Sequence, residues 1–373
     1  MSSSGVDSPL AGSRAGRIRS AVTREDVAQL AGVSTAVVSY VVNNGPRPVA
    51  PNTAKRVREA MDLLGYRPNA SARALRRGKT ETIGLVLGDS LNPFFTQYTF
   101  ELVKAAAERG MRLLIGDSRQ DEQLESEIVD EMIERQVDGL LFATPYSRVD
   151  TTGGPHAAGI PTVLIDCPGP IAGQRTVGSA ATPGAQGLVR HLVDHGRRRI
   201  GLVIGDKGFG NPDPRKHGWR LALRAAGLAE GPIATAPFTR EGGYASGLAL
   251  LHSGFDIDAV FASNDLQAIG LVRALHEHGV RIPEDLAVVS FDGTKESEYC
   301  WPPLTVAQQD LTTLAAAAVD LLTTPRIDRG THIEVPTILR IRASCGCENT
   351  TETSHPPVDL QPPLSASPQE RND

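Results

Sequence analysis

The stretch that decides the fold of this chain is Thr23–Val42, which reads TREDVAQLAGVSTAVVSYVV. On either side of Gly32, apolar residues recur at intervals of three and four, the spacing of one buried face on each of two short helices. Thr23 and Ser34 are residue types that cap helix N-termini, and Gly32 can adopt the positive φ of a tight turn between helices. The stretch therefore predicts a helix-turn-helix, whose second helix enters the major groove of DNA.

A third helix is predicted from Pro51 to Leu64, since proline suits the first helical position and Gly65 can end the helix. Three short helices can bury a small shared core, and we expect Val37, Val38 and Val41 to point into it from the second helix. The outward residues Thr35, Ala36 and Tyr40 are predicted to reach base edges. The other predicted DNA-binding residues bond phosphates or fix the helix ends, and they are Thr23, Ser34, Ser39 and Asn43.

The segment 67–80 is predicted to be a hinge that includes a short helix. It reads RPNASARALRRGKT, and its single large apolar residue, Leu75, lies among basic neighbours. So short a helix with so little to bury is marginal on its own. Leu75 is therefore interpreted as a wedge for a minor-groove base step, with Arg73 and Arg76 on phosphates.

Basic residues are concentrated in the same region. Residues 14–80 hold thirteen Lys or Arg and four Asp or Glu, a net charge of +9 in a chain whose formal net charge is −5. A basic head joined to an acidic body is typical of a nucleic-acid-binding domain attached to a domain with another role. Double-stranded DNA is the expected partner of the head.

From residue 82 onward, short apolar runs alternate with amphipathic helical segments. The runs include Thr82–Leu87, Ile200–Ile204 and Ala259–Ala262, and the helical segments include Glu101–Glu108. This alternation predicts an α/β body with parallel sheets. About 265 residues are enough for two doubly wound lobes.

Ligands of such sheets bind at the carboxyl ends of the strands. Carboxylates, an amide and an aromatic residue follow the predicted strands there, and an arginine and a further phenylalanine lie nearby. Together they suit a polyhydroxylated ligand, which needs paired hydrogen bonds and a ring face for stacking. The predicted effector-binding residues are Phe95, Asp166, Arg215, Phe238, Asn264 and Asp292.

The head and hinge resemble the lactose-repressor (LacI/GalR) family of bacterial transcription regulators. The resemblance rests on the pattern DVA..AGVS...VS.V.N, on GY.PN..AR.L, and on Ile83-Gly84 at the start of the body. It covers residues 22 to 347. The fold it implies is an N-terminal all-α helix-turn-helix head plus an α/β two-lobed periplasmic-binding-protein-like sensor domain, with the last strands crossing between the lobes.

The resemblance also implies a homodimer on a near-palindromic operator, released or tightened by a small effector, with a sugar favoured. It assigns base reading to Thr35, Ala36 and Tyr40, and Asn92–Phe95 to a loop that closes the first lobe. A nucleoside or purine effector, a protein cofactor, and an activator in place of a repressor remain open alternatives. No leucine heptads follow Cys347, so we expect no tetramerising coiled coil.

Several other classes of protein are disfavoured. The chain has no complete GxGxxG, Walker, GxSxG or HExxH motif, so we expect no enzyme. An exported solute-binding protein would share the body but would need a signal peptide and no DNA-binding head. No signal-peptide core and no membrane-spanning run occur, and the expected location is the cytoplasm, beside the nucleoid.

Four scattered cysteines fit a reducing compartment. Cys345-Gly-Cys347 could supply half of a metal site, but no second cysteine pair exists, so we expect neither a metal nor a cofactor. The predicted organisation is a disordered arm at 1–20, the head at 21–66, the hinge at 67–80, the effector-binding and dimerisation domain at 81–347, and a disordered tail at 348–373.

Overall fold

A computed structural model describes residues 22–43, 45, 47–67, 78–144, 159–205, 213–254, 256–324, 328 and 330–347. The chain divides into two compact units, Met1–Thr80 and Glu81–Asp373. No helix within the described ranges is long and apolar enough to cross a membrane.

The first unit contains the three predicted helices, α1 (Arg24–Ala31), α2 (Thr35–Asn43) and α3 (Pro51–Leu64). Gly32 ends α1 at φ 65°, in the left-handed region that the turn requires. One fully buried valine from each helix forms the core, namely Val27, Val38 and Val57. The helix-turn-helix and its third helix are thus confirmed.

Two apolar residues of the head are less buried than the pattern predicts. Leu30 is 53% exposed, and Val37 is half-buried and lies outside the cluster formed around Val38. A helix of eight or nine residues has only about two turns, so few of its positions can face the shared core.

The second unit contains two six-stranded sheets, one in each lobe. The first sheet has the order β11-β5-β4-β3-β1-β2, with all neighbours parallel. Its strands are β1 (Thr82–Leu87), β2 (Arg112–Asp117), β3 (Gly139–Ala143), β4 (Thr162–Leu164), β5 (Thr176–Ser179) and β11 (His332–Val335). In β1, the run TIGLVL is buried on both faces, as expected of a strand covered by helices on two sides.

The second sheet has the order β12-β10-β9-β8-β6-β7 and is parallel except for β12, which runs antiparallel to β10. Its strands are β6 (Ile200–Ile204), β7 (Ile233–Thr235), β8 (Ala259–Ala262), β9 (Ala287–Asp292), β10 (Thr305–Gln309) and β12 (Thr337–Arg340).

Helices cover both faces of each sheet. They are α4 (Pro93–Glu108), α5 (Glu122–Glu134), α6 (Ala181–Asp194), α7 (Pro214–Ala225), α8 (Arg240–His252), α9 (Asp265–Glu277), α10 (Lys295–Tyr299) and α11 (Leu311–Thr323), followed by a 3₁₀ turn at Ala343–Cys345. Two buried clusters in each lobe lie on opposite faces of its sheet.

The chain crosses between the lobes three times. It first leaves the first sheet after β5, then returns from β10 to α11, which packs in the core of the first lobe, and finally passes from β11 to β12. The last strands therefore do cross between lobes, and the connections hold the two lobes beside one cleft.

Several elements differ from the sequence prediction. Helix α4 begins at Pro93, where the sequence suggested a loop up to Phe95 and a helix only from Glu101, because Asn92 caps the helix by accepting from the Phe94 N–H at 3.0 Å. The short strands β5 and β11 and the helices α10 and α11 were not predicted. Short strands have weak periodicity, and the alanine-rich α11 carries a single charged residue, Asp320, so its polar face gives only a weak helical pattern.

Candidate functional site

The N-terminus of α1 is fixed by a reciprocal cap. Thr23 Oγ1 accepts from the Asp26 N–H at 3.3 Å, and the Thr23 N–H donates to the Asp26 carboxylate at 2.7 Å. The Thr23 backbone and hydroxyl hydrogen bonds lower the pKa of Asp26. Thr23 thus positions the first helix, and its hydroxyl is already engaged.

Helix α2 presents the predicted reading face to solvent. Thr35 and Ala36 are exposed, and Tyr40 is half-exposed with its ring against Gly45. At the start of the helix, Ser34 is exposed and its Oγ accepts from the Val37 N–H at 3.4 Å.

The last turn of α2 carries a polar pair. The Asn43 amide donates to the Ser39 carbonyl at 2.9 Å and to the Ser39 hydroxyl at 3.3 Å. Ser39 and Asn43 therefore lie together on one face of the helix. The three predicted hinge contacts, Arg73, Leu75 and Arg76, lie outside the described residues.

A cavity of about 290 Å³ lies between the two lobes, at the carboxyl ends of their strands. All six predicted effector-binding residues line it. Its walls include, from the first lobe, Asp89, Asn92, Phe94, Phe95, Thr144, Ile165 and Asp166 and, from the second lobe, Asp213, Arg215, Phe238, Asn264, Phe291, Asp292 and Gln309.

Arg215 is held rigidly at the start of α7. Its Nε and Nη2 donate to the two carboxylate oxygens of Asp213 at 3.0 and 2.7 Å, and its Nη1 donates to the Ser263 carbonyl at 2.8 Å. Its guanidinium also lies 4.9 Å from the centre of the Phe238 ring. Burial opposes ionisation of Asp213, but Arg215 outweighs it and lowers the pKa of that carboxyl. A guanidinium has five N–H donors, so among the described contacts two remain for a ligand.

Asp292 ends β9 with φ at 103° and is almost fully buried. Its Oδ1 accepts from the side-chain Nε2 of Gln309 at 2.9 Å. The buried side-chain oxygen of Gln309, Oε1, has no partner among the described residues. Burial and the neighbouring carboxylate of Asp265 raise the pKa of Asp292 well above its usual value. A protonated Asp292 can donate as well as accept a hydrogen bond.

Asp265, the first residue of α9, interacts with Asp292 through its charge. Its carboxylate accepts from the Ser290 hydroxyl at 2.6 Å and from the Thr294 N–H and hydroxyl at 2.6 and 2.7 Å. Burial raises the pKa of Asp265 to about 6 despite these hydrogen bonds. The two buried carboxyls, one at the start of α9 and one at the end of β9, thus resist simultaneous ionisation.

Asp166 faces Arg215 from the first lobe, with φ at 53° after the end of β4. It is accessible from the open cavity, yet protein atoms surround it, and this desolvation raises its pKa to about 6. The nearby Arg215 opposes the shift and Asp213 adds to it.

The other three predicted effector-binding residues line the cavity and also stabilise the local structure. Asn264 caps α9, accepting from the Gln267 N–H at 2.8 Å, and its amide lies 3.4 Å from the Phe238 carbonyl. Phe238 packs against Gly205, where a Cβ would overlap its ring. Phe95 contacts Phe94 edge-to-face, with 5.1 Å between ring centres.

Sequence reasoning missed Asp213 and Gln309 as residues that line the cavity. Asp213 could have been found from Asp213-Pro214, since a helix cap directly before Arg215 places a carboxylate beside the guanidinium. Gln309 offers no such signal, because its position at the end of β10 becomes meaningful only through the pairing of β10 with β9.

Comparison with known proteins gives two family matches. The model for bacterial regulatory proteins of the lacI family matches residues 23–69, and the model for a periplasmic binding protein-like domain matches residues 189–345.

Curated relatives match over most of their length. The ribose operon repressor of Escherichia coli (strain K12) is 32% identical over 304 residues, covering 80% of this chain and 92% of the relative. The HTH-type transcriptional repressor PurR of Haemophilus influenzae (strain PittEE) is 30% identical, covering 83% and 91%. The HTH-type transcriptional regulator GalS of Salmonella typhimurium is 32% identical, covering 86% and 95%.

Solved structures match both the head and the body. The lac repressor dimer bound to operator and the anti-inducer ONPF aligns with a TM-score of 0.76 at 25% identity, over 87% of this chain and 99% of that chain. A LacI family regulator from Enterococcus faecium with bound ribose aligns with a TM-score of 0.63 at 26% identity, over 70% and 98%. The fold assigned from the sequence, a helix-turn-helix head with a two-lobed body, is thereby confirmed.

Proposed function

This chain belongs to the lacI family of bacterial regulatory proteins, and from that premise we propose that it is a cytoplasmic repressor that binds a near-palindromic operator as a homodimer. Its DNA affinity is set by a small neutral ligand with several hydroxyl groups, most simply a sugar, bound between the lobes. The head comprises residues 21–66, the hinge 67–80, and the effector-binding and dimerisation domain 81–347.

The charge balance of the cavity carries this proposal. Among the residues that the structure describes, its walls hold the carboxyls of Asp89, Asp166, Asp213 and Asp292 against one guanidinium, that of Arg215. An anionic ligand such as a sugar phosphate or a nucleotide would meet uncompensated negative charge. A neutral polyol can instead donate to the carboxyls and accept from the two remaining N–H groups of Arg215.

The size and apolar walls of the cavity agree with a single-ring ligand. Its volume of about 290 Å³ lies at the lower limit of the ~300–1,000 Å³ range of small-molecule sites. Phe95 and Phe238 offer ring faces for the apolar side of a pyranose or furanose. The ribose operon repressor among the relatives and the regulator with bound ribose among the solved structures support a sugar. A purine or nucleoside is the second candidate.

On the DNA side, the second helix would read bases. Thr35 and Ala36 can contact a thymine methyl, and the Tyr40 hydroxyl can donate or accept. Thr23, Ser34, Ser39 and Asn43 would fix the register on phosphates. From the hinge, Leu75 would enter a minor-groove step between Arg73 and Arg76.

The two sites would be coupled through the lobes. A ligand can shift the protein from its DNA-binding to its released state only by the difference in its affinity for the two. Closure of the cleft by a sugar would therefore change the spacing of the two heads in the dimer.

The test begins with a thermal-shift panel on the full chain. Ribose, galactose, cellobiose, adenosine and hypoxanthine are compared with ribose 5-phosphate and adenosine monophosphate. A ligand at about 100 times its Kd stabilises by ~2.7 kcal/mol. We expect a neutral sugar to raise the melting temperature and both phosphates to leave it unchanged. Stabilisation by the phosphates alone would contradict the proposal.

The second step selects an operator from a randomised duplex library and measures its affinity with and without the stabilising ligand. We expect a two-fold symmetric site, steep weakening with salt, and a change of affinity on adding the ligand. An asymmetric site, or an affinity that ignores every stabilising ligand, would sink the dimeric, effector-controlled repressor. An operator that recruits polymerase would mark an activator.

A further inference from the structure

Outside the cleft and the head, one cluster of chemically reactive side chains stands apart on the second lobe. His191 and His195, on α6, face Cys345 and Cys347, which follow the last strand about 150 residues later in the chain. None of the four lines the effector cavity, and none has a role in the proposed function.

The donor atoms of His191, Cys345 and Cys347 converge, and His195 lies beside Cys347. His191 Nε2 lies 3.3 Å from Cys345 Sγ and 3.6 Å from Cys347 Sγ, and His195 Nε2 lies 3.2 Å from Cys347 Sγ. The donor atoms of His191, Cys345 and Cys347 all lie within 4.8 Å of one another.

These separations match the edges of a metal-binding tetrahedron. Zn–S bonds of about 2.3 Å and Zn–N bonds of about 2.0–2.1 Å at tetrahedral angles place sulfur and nitrogen about 3.6 Å apart. The three S···N distances in the structure, from 3.2 to 3.6 Å, lie at or slightly below this value.

Local structure brings the donors to one point. His191 and His195 are four residues apart on α6, so both rings lie on the same helix face, with 4.5 Å between their centres. Gly346 has φ at 102°, which turns the chain between the two cysteines and directs both sulfurs to α6. An L side chain at Gly346 would be strained there.

The surroundings also suit a bound ion. Cys345 is buried in the core of the second lobe, Cys347 is half-buried and His195 is exposed, so an ion could enter from the surface. The Thr305 hydroxyl lies 3.1 Å from Cys345 Sγ and can donate to a thiolate. Two thiolates and two neutral imidazoles would neutralise a divalent ion.

We propose that His191, His195, Cys345 and Cys347 bind one Zn²⁺ ion as a closed, four-ligand structural site that fastens the segment after β12 to α6. Two sulfurs and two nitrogens in tetrahedral array are the donor set that selects zinc. Binding releases the two thiol protons to solvent and forms two Zn–S and two Zn–N bonds. With no open coordination position, the ion stabilises the second lobe and performs no catalysis.

The test measures zinc in the full chain, purified without a metal-affinity tag and under reducing conditions. We expect one Zn²⁺ per chain by plasma mass spectrometry. Cys347→Ser and His191→Ala should lower zinc affinity by more than about 100-fold, since even residues outside a ligand shell change it 10- to 100-fold. Cys300→Ser and His252→Ala are matched controls from outside the cluster and should retain one ion.

Cobalt substitution tests the ligand set independently of folding. The wild type should show the visible bands of tetrahedral Co²⁺ together with a thiolate charge-transfer band, and Cys347→Ser should weaken the latter. Circular dichroism of each variant checks that it is folded. A His195→Ala variant that keeps wild-type zinc affinity would overturn the four-ligand site.

Three further outcomes would refute the site altogether, and the first two are these. One is a wild type that retains no more zinc than Cys347→Ser. The other is a Cys345–Cys347 disulfide detected by mass spectrometry in the reduced preparation. Chelation of the ion should lower the melting temperature of the wild type and leave that of Cys347→Ser unchanged; equal responses would also refute it.

Discussion

Arg215 and Asp213 form a two-pronged ion pair in which Nε and Nη2 of the guanidinium meet the two carboxylate oxygens at 3.0 and 2.7 Å. Asp213 also caps α7, accepting from the Arg215 N–H at 2.8 Å. The helix terminus and the ion pair thus fix one cation in a cavity whose other charged residues, within the described ranges, are acidic. A ligand meets a guanidinium whose orientation is already set.

Replacing this guanidinium tests its role directly. Arg215→Lys should weaken effector binding about 10- to 100-fold, because an ammonium cannot hold Asp213 with two bonds and still donate to a ligand; hydrogen bonds to charged groups contribute ~1.5–3 kcal/mol. Calorimetry with the effector identified in the thermal-shift panel measures the loss. Arg220→Lys is the control, since Arg220 lies on the same helix but pairs with Glu230 at 3.0 Å. Equal losses in both variants would show that the effect comes from α7, not from the cavity.

The buried carboxyls predict how stability depends on pH. In the folded protein the pKa of Asp265 is about 6, and the pKa of Asp292 is raised well above its usual value. Burial is the largest cause of both shifts. Because both carboxyls bind their protons more tightly in the folded state, they contribute to the free energy of unfolding. This contribution is fully present below about pH 4, the pKa of an unfolded aspartate, and it is lost as the pH rises through 6. The free energy of unfolding should therefore fall between pH 5 and 7, by at most ~1.4 kcal/mol per pH unit for each proton.

Asp292→Asn should flatten this decline, because it removes one carboxyl and the charge that opposes ionisation of Asp265. Urea unfolding followed by fluorescence of the buried Trp219 reports the second lobe. Asp285→Asn should leave the slope unchanged, since Arg281 lowers the pKa of Asp285 to about 2. A free energy of unfolding that rises from pH 5 to 7 at the same rate in the wild type and in both variants would contradict the assignment.

The same Asp292→Asn variant should lose its effector response while its DNA binding without effector persists.

The contact between Gly205 and Phe238 predicts a steric effect. A Cβ at Gly205 would overlap the Phe238 ring, so Gly205→Ala should displace the ring and weaken effector binding about 2- to 12-fold, the equivalent of ~0.5–1.5 kcal/mol for an aromatic contact. Gly187→Ala, within α6, meets no atom within 4 Å. It should leave binding unchanged and stabilise the protein by up to ~1 kcal/mol. Unchanged affinity in Gly205→Ala would remove Phe238 from the binding surface.

The cap at Thr23 predicts a local effect on the head. Thr23→Ala removes the acceptor for the Asp26 N–H and should destabilise α1 by ~0.5–2 kcal/mol. Amide hydrogen exchange within α1 should accelerate about 2- to 30-fold, while Thr23→Ser, which keeps the hydroxyl, should stay near the wild type. If exchange accelerates in neither variant, the cap does not limit the opening of the helix.

Local chemistry made much of the fold predictable. Caps, the glycine turn and three- or four-residue periodicity lie within a few positions of one another, so Thr23, Gly32 and Ser34 define the head without any distant contact. The strand-end rule also identified Asp166, Asn264 and Asp292 as cavity residues, because parallel strands direct their carboxyl ends to one edge. These features depend on neighbours along the chain.

What the sequence determined by itself is therefore a basic helix-turn-helix joined to two parallel-sheet lobes with a polar cleft. Tertiary structure alone decided which sheet each of the last strands, β10 to β12, joins. The pairing of β10 with β9 placed Gln309 beside Asp292, and the start of α9 placed Asp265 near the same carboxyl. It also brought His191 and His195 to Cys345 and Cys347 across about 150 residues. A pairing at that separation has no periodic or capping signal, since the path of the intervening chain, not the local sequence, sets the distance between its ends.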